Sequence, residues 1–238
     1  MSKVLTVIPV LDPIYGMMCL SSILKDNSAA GINKEDILVI DNSKHGLGAA
    51  TVWDKVKIYR ENNHNIGVAR AWNVGARRVV ENDYDYLTIM SQSMLFGPEK
   101  ETTWMKQLET FAGADVIESD GHSWHLIALK RHLFEMAGYF DENFYPGYFE
   151  QTDWCYRLRM LNREGGWPRV WVNAISQTVG HHSNLVLAPP LLDYYREKWG
   201  GDKGGEKYKL PWGDKPLGYF PDHSIPELAE KYKLKEWW

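Results

Sequence analysis

The sequence predicts an α/β fold, an open mixed sheet flanked by helices, and three observations carry that prediction. Apolar runs at residues 4–10, 36–41 and 84–90 have the length of buried strands, and each gives way to a polar turn. Between the first two runs lies a stretch of helical period. Strand, helix and strand at this spacing form a βαβ unit, which favours parallel strands with a right-handed crossover. The 238 residues, 44% hydrophobic and 24% charged, suffice for one such domain with a full core.

In chain order, residues 4–10 form the first strand, and Asp12-Pro13 turns the chain. Residues 14–25 carry Met17, Leu20 and Leu24 at helical spacing. The second strand, 36–41, ends in Asp41-Asn42-Ser43. Asp12 and Asp41 thus lie at the carboxyl ends of strands, where such sheets bind ligands. An Asx-turn explains Asp41-Asn42-Ser43 equally well. Residues 56–59 give a short third strand. Asn65-Ile-Gly67 then opens a helix, with Asn65 as its N-cap and Gly67 allowing close approach to the backbone. Ala69, Asn73 and Ala76 share a face of small or polar residues, which leaves room for a ligand or another backbone. The fourth strand, 84–90, runs into Ser91-Gln92-Ser93.

Further on, a short helix is expected at 104–111, with strands at 115–118, 124–129, 169–173 and 175–179. Residues 138–165 join an aromatic loop, broken by Pro146 and Gly147, to a helix. Trp154, Leu158 and Leu161 fall on one stripe of that helix, and Gly165 and Gly166 stop it. Glu150 and Asp153 stand one turn apart at its start. Carboxylates there suit a site that binds a polyol and removes a proton. They also suit a helix dipole alone, and Asp153 with Arg157 reads equally as a surface ion pair. From Gly200 the chain turns to Gly, Pro and aromatics, with a short helix at 227–235.

A net charge of −4 argues against a general nucleic-acid or membrane-surface binder. Cys19 and Cys155 are the only cysteines. That excludes a disulfide scaffold and a cysteine-held zinc, and it leads us to expect a reducing, cytoplasmic location. Residues 4–11 are too short for a secretory leader, and no apolar run reaches the ~20 residues of a membrane span. The chain holds 11 Trp and 13 Tyr. Aromatic rings bind the C–H faces of sugars, and they also fill cores.

Two of these segments resemble family 2 glycosyltransferases of the GT-A fold, in a rhamnosyltransferase-like subgroup. Asn65, Gly67, Ala69, Ala71, Asn73 and Gly75 match one motif. Gly138, Phe140, Asp141, Glu142, Glu150, Asp153, Arg157 and Gly165 match the acceptor-side motif, with Gln151 where the family usually has a second acid. A first strand ending in Ile-Pro and a second ending in Val-Asp-Asn-Ser is also the family's usual opening, here Val-Ile-Asp-Asn-Ser. The resemblance covers about residues 1–185 and implies that the strand at 124–129 is antiparallel. It implies that Pro9, Val10, Asp12 and Asp41 border the base and ribose of a nucleotide. The helix carrying Asn65, Gly67, Arg70 and Asn73 would help hold it, and Ser91, Gln92 and Ser93 would border the diphosphate. Asp153 or Glu150 would take the acceptor's proton, beside Gln151.

In that family an acidic Asp-x-Asp holds Mn²⁺ or Mg²⁺ at the fourth strand end. Ser91-Gln92-Ser93 replaces it here, and neutral hydroxyls are poor ligands for these ions. Either the metal is held from elsewhere, with His181 a candidate ligand, or cations such as Arg70, Arg77, Lys130 and Arg131 take its place. The implied function is transfer of a sugar from a nucleotide diphosphate sugar donor to a hydroxyl acceptor, with inversion. The alternative is a non-catalytic binder of sugar nucleotides or glycans. A nucleotidyltransferase would want a Gly-rich basic loop, which residues 9–16 do not offer. The expected organisation is a GT-A-like domain at 1–199 and an aromatic extension at 200–238. The extension would close over substrate, pack on the core or mediate homo-oligomer formation.

Overall fold

The computed structural model describes residues 2–61, 65–121, 124–163, 165–176, 188–223 and 225–231. The elements are β1 (Val4–Val10), α1 (Pro13–Ile23), β2 (Ile37–Asp41), β3 (Lys57–Tyr59), α2 (Val68–Glu81), β4 (Tyr86–Met90), β5 (Met94–Phe96) and α3 (Trp104–Thr110). They continue with β6 (Val116–Ser119), β7 (Leu126–Lys130), α4 (His132–Ala137), α5 (Glu150–Met160), β8 (Arg169–Val170), β9 (Ala174–Ser176), α6 (Ala188–Trp199) and α7 (Ile225–Lys231).

Seven strands form one sheet in the order β3-β2-β1-β4-β7-β6-β8. Only β7 runs antiparallel to its neighbours, and the other pairs are parallel. This is the open mixed α/β sheet the sequence predicts, with the expected antiparallel strand. Alternation along the strands feeds two cores. Leu5, Val7, Leu38 and Ile40 face α2, α4, α5 and α6. Val4, Ile8, Val10, Ile37 and Val39 face α1 and α3. Burial on both faces explains why these strands read as unbroken apolar runs. Val10 pairs with Asp41, so β1 and β2 end level with each other.

Several expectations shift. Helix α2 begins at Val68, and the capping position is Gly67 with φ 80°. The Asn65 carboxamide instead accepts from the Gly67 N–H at 2.8 Å, a turn ahead of the helix. On the small face of α2 Asn73 meets the backbone of Phe140, and the neighbouring Gly75 packs on the sheet. A Cβ on Gly75 would stand 2.9 Å from the Leu87 side chain and 3.1 Å from that of Val7. The strand expected at 169–173 shrinks to two residues, and β9 is described only as far as Ser176.

Helix α6 has no counterpart in the sequence reading, yet it is central to the packing. Leu191, Tyr194, Tyr195, Lys198 and Trp199 are all buried. The chain after it stays against the core. Pro221 O accepts from Asn143 Nδ2 at 2.7 Å, and Gly218 lies so close to Gly138 that a Cβ on the latter would sit 2.9 Å from its Cα.

Candidate active site

A cavity of about 410 Å³ opens at the carboxyl ends of β1 and β4, between the start of α2 and the start of α5. Its walls include Pro9 and Leu11 from the β1 end, Asn65, Val68 and Trp72 from α2 and its approach, and Ser91 and Gln92 after β4. Trp124 and His125 come from the approach to β7, and Tyr148, Glu150 and Gln151 from the aromatic loop and α5. The two helices that carry the family-like motifs therefore face one cleft.

Glu150 is set there by a sharply turned backbone. Tyr148 and Phe149, with φ of 82° and 69°, are both left-handed, which costs on the order of 1–2 kcal/mol per residue. The turn drives the first side chain of α5 inward, and Glu150 is only 3% exposed. Its Oε2 has no hydrogen-bond partner among the described residues. Burial pushes its carboxyl up from 4.5 to about 7, against the pull of the Tyr148 and Glu150 backbone hydrogen bonds; the nearby Asp153 charge raises it further. Such a group is poised to accept a proton near neutral pH.

Asp153 does not reach the cavity, nor is its pair with Arg157 a surface one. Both side chains are fully buried. Asp153 Oδ1 faces the Lys198 ammonium at 2.7 Å and accepts from Trp199 Nε1 at 2.9 Å. Its Oδ2 accepts from Arg157 Nε at 3.1 Å, with Nη2 at 2.9 Å. Burial alone would raise this carboxyl, but the Lys198 and Arg157 charges outweigh it and hold the group below the usual carboxylate range. Lys198 also meets Asp141 Oδ2 at 2.7 Å, beside the Tyr194 hydroxyl at 2.8 Å. Two carboxylates and two cations thus balance inside the protein and bind α6 to α5 and the aromatic loop. In this position Asp153 holds structure together; its oxygens are taken by donors from α5 and α6.

The other site candidates divide between cavity and scaffold. Pro9, Asn65, Ser91, Gln92, Glu150 and Gln151 line the cavity, and Val10, Asp12, Asp41, Gly67, Arg70, Asn73 and Ser93 do not. Val10 is buried against α1. Asp12 caps α1, accepting from Ile14 N at 2.8 Å. Asp41 pairs with Arg60 and accepts from Ser43 N at 3.0 Å, which is the Asx-turn alternative. Arg70 pairs with Glu61 and Glu142.

Asn73 exchanges hydrogen bonds with the Phe140 backbone, N–H and C=O, at 2.8 Å each, and donates to Glu142 Oε1 at 2.8 Å. At Gly67 the close neighbour is the aromatic loop, since a Cβ would lie 2.8 Å from the Tyr145 ring. The residues that match across the two motifs are thus, in good part, the contacts that clamp α2 to the loop before α5.

Beyond β4, Ser91 Oγ and Ser93 Oγ are 2.8 Å apart, with His125 Nδ1 3.4 Å from Ser93 Oγ. A divalent metal does not fit this end of the cavity: its oxygens are neutral hydroxyls bonded to each other. Among the described residues no group of three or more His, Cys, Asp or Glu is placed to hold one. His181 lies outside the described residues.

Sequence reasoning missed Trp72, Trp124, His125 and Tyr148 in the walls, and Lys198 behind them. Trp72 and Trp124 stack at 5.7 Å between centroids, but nothing in their spacing marks them apart from the chain's other aromatics. Asn42 was within reach of sequence reading, since it follows Asp41 at the strand end. Its Oδ1 accepts from Ile66 N at 3.2 Å.

No protein-family model matches the sequence, and no curated protein matches it. Among solved structures the chain is similar to S. aureus TarS 1–349 in complex with UDP, at 13% identity and TM-score 0.47, over 65% of this chain and 54% of that one. It is similar also to S. aureus TarS, at 13% identity and TM-score 0.48, over 71% of this chain and 37% of that one. A third structure, TarS 1–349, gives 12% identity and TM-score 0.46, over 73% and 56%. The chain therefore spans from 37% to 56% of the length of these structures. No described helix is long and apolar enough to cross a membrane.

Proposed function

We propose that this protein moves a sugar from a nucleoside diphosphate sugar to a hydroxyl acceptor in one inverting displacement, with Glu150 as the base. The observation that carries the reading is a buried carboxyl, raised to about 7, with one oxygen that has no partner among the described residues, in a cavity at the strand tips. The motif resemblance supports it. In the displacement the acceptor oxygen bonds to the anomeric carbon and passes its proton to Glu150. The bond from that carbon to the diphosphate oxygen breaks, and its electron pair leaves with the diphosphate. Gln151 cannot accept the proton; it lines the cavity and orients the acceptor. Trp72, Trp124 and Tyr148 supply ring faces for a sugar. Such chemistry fits the cytoplasm, where nucleotide sugars are made.

A panel of UDP-, GDP- and dTDP-sugars assayed with glycan acceptors, with wild type and Glu150→Gln, tests the proposal. Turnover in the wild type should fall roughly 10²–10⁴-fold in Glu150→Gln. Full turnover in that variant contradicts the role of Glu150. A second reading, binding without turnover, is favoured by the Ser91–Ser93 hydroxyl pair at the diphosphate end. It would show as thermal stabilisation by a nucleotide with no transfer to any acceptor.

A further inference from the structure

We propose that Ser91 and Gln92, held by Ser93 and His125, form an oxyanion site that grips a phosphate of the ligand through hydrogen-bond donors instead of a carboxylate-held metal. The proposal rests on the reading of a nucleoside diphosphate donor given above. Gln92 Oε1 accepts from the backbone N–H groups of Leu11 and Asp12 at 2.9 and 3.1 Å. That fixes which way the carboxamide points, and it leaves the two N–H donors of a cavity-lining side chain with no partner among the described residues.

Ser91 is oriented in a similar way. Its N–H donates to His125 O at 2.8 Å and its carbonyl accepts from Met94 N at 3.0 Å, so the turn is fixed. Its Oγ accepts from Ser93 N at 3.3 Å and shares a proton with Ser93 Oγ at 2.8 Å. His125 Nδ1 stands 3.4 Å from Ser93 Oγ. With the proton on Nδ1, donation runs from His125 to Ser93 to Ser91. The hydroxyl proton of Ser91 is then the one left to point into the cavity.

The cavity is therefore polar in one direction. Its described walls carry one carboxylate, Glu150, and one side chain able to become a cation, His125. Glyceryl, peptide or sugar hydroxyls would serve either end. An oxyanion is disfavoured beside the Glu150 carboxylate and met by donors at the Ser91–Gln92 end, where the Gln92 N–H pair and the Ser91 hydroxyl are offered. A sugar phosphate lying across the cavity puts its departing oxygen at those donors and its reacting carbon toward the base. Ser91 and Gln92 touch the phosphate; Ser93 and His125 are positioning residues.

Calorimetric titration of UDP, GDP and dTDP against their nucleosides, in EDTA, tests the site. At least one diphosphate should bind ten times or more tightly than its nucleoside. Gln92→Glu keeps the acceptor for Leu11 and Asp12 but turns a carboxylate toward the phosphate. It should cut the advantage of the diphosphate by about tenfold or more while leaving the nucleoside unmoved. Ser91→Ala should do the same more weakly, and His125→Phe should lower the diphosphate term alone. A diphosphate advantage that appears only with Mn²⁺, or one that Gln92→Glu leaves intact, overturns the proposal while the donor reading stands. If no nucleoside or diphosphate binds with or without Mn²⁺, the donor reading falls and this site falls with it.

Discussion

Glu150 and Asp153 are the same kind of group, one turn apart on α5, and both are buried. Their surroundings set them in opposite directions. Glu150 turns to a cavity with few polar partners, and burial raises it to about 7. Asp153 turns to α6, where Lys198, Trp199 and Arg157 converge on it and hold it low. The lesson is that position on a helix nominates a carboxylate and the neighbouring elements decide its work. One is made reactive by burial without a counter-ion among the described residues; the other is made structural by the cations around it.

The largest expected effect comes from breaking the second environment. Lys198→Met leaves Asp141 and Asp153 facing one cation fewer inside the protein. Removing one partner of such a cluster costs about 3–5 kcal/mol. Urea unfolding should show that loss, and a loss within error would mean the cluster is not what holds α6 in place.

Next comes the pH behaviour of the first environment. The folded protein holds the Glu150 proton more tightly than the unfolded chain, about 7 against 4.5. Stability from the neutral form is therefore complete below about 4.5 and is lost as pH rises to 7 and beyond. Relative to Glu150→Gln, the wild type should lose about 3 kcal/mol between pH 4.5 and 8. The stability supplied by Asp153 has the opposite sign: it is present above its ordinary value and lost as pH falls.

A smaller effect is expected at Asn73, which joins α2 to the loop leading to Glu150. Asn73→Ala leaves the Phe140 N–H and C=O without their partner and should cost about 1–3 kcal/mol by urea unfolding. If it costs nothing, the loop before α5 is held by Lys198 and its neighbours alone.

Much of this frame was legible in the sequence. Residues 4–10 were bounded as the structure has them, and β2, β4 and the starts of α2 and α5 were found within two or three residues, because long apolar runs and helical stripes encode burial locally; α5 ends at Met160, short of the expected stop at Gly165 and Gly166. The cleft between the Asn65 and Glu150 segments was legible too, through the strand ends. Lys198 was not. A lysine between Glu197 and Trp199 looks like a solvated helix residue, and only tertiary packing makes it a buried counter-ion. Nor could spacing tell that Asp12 would be spent on a helix cap, or decide between ligand and Asx-turn at Asp41 and between ligand and backbone at Asn73. The partners of Asp12 and Asp41 are local, Ile14 N and Ser43 N, but the same acceptors would serve a ligand equally well; the partner of Asn73, the Phe140 backbone, lies 67 residues away.

The most direct measurement is a ¹³C NMR titration of the side-chain carboxyls of Glu150 and Asp153, assigned with Glu150→Gln and Asp153→Asn. The account predicts that Glu150 titrates near 7 and that Asp153 stays ionised to below the usual carboxylate range. Glu150 titrating near 4.5, or the two carboxyls titrating together, would contradict it.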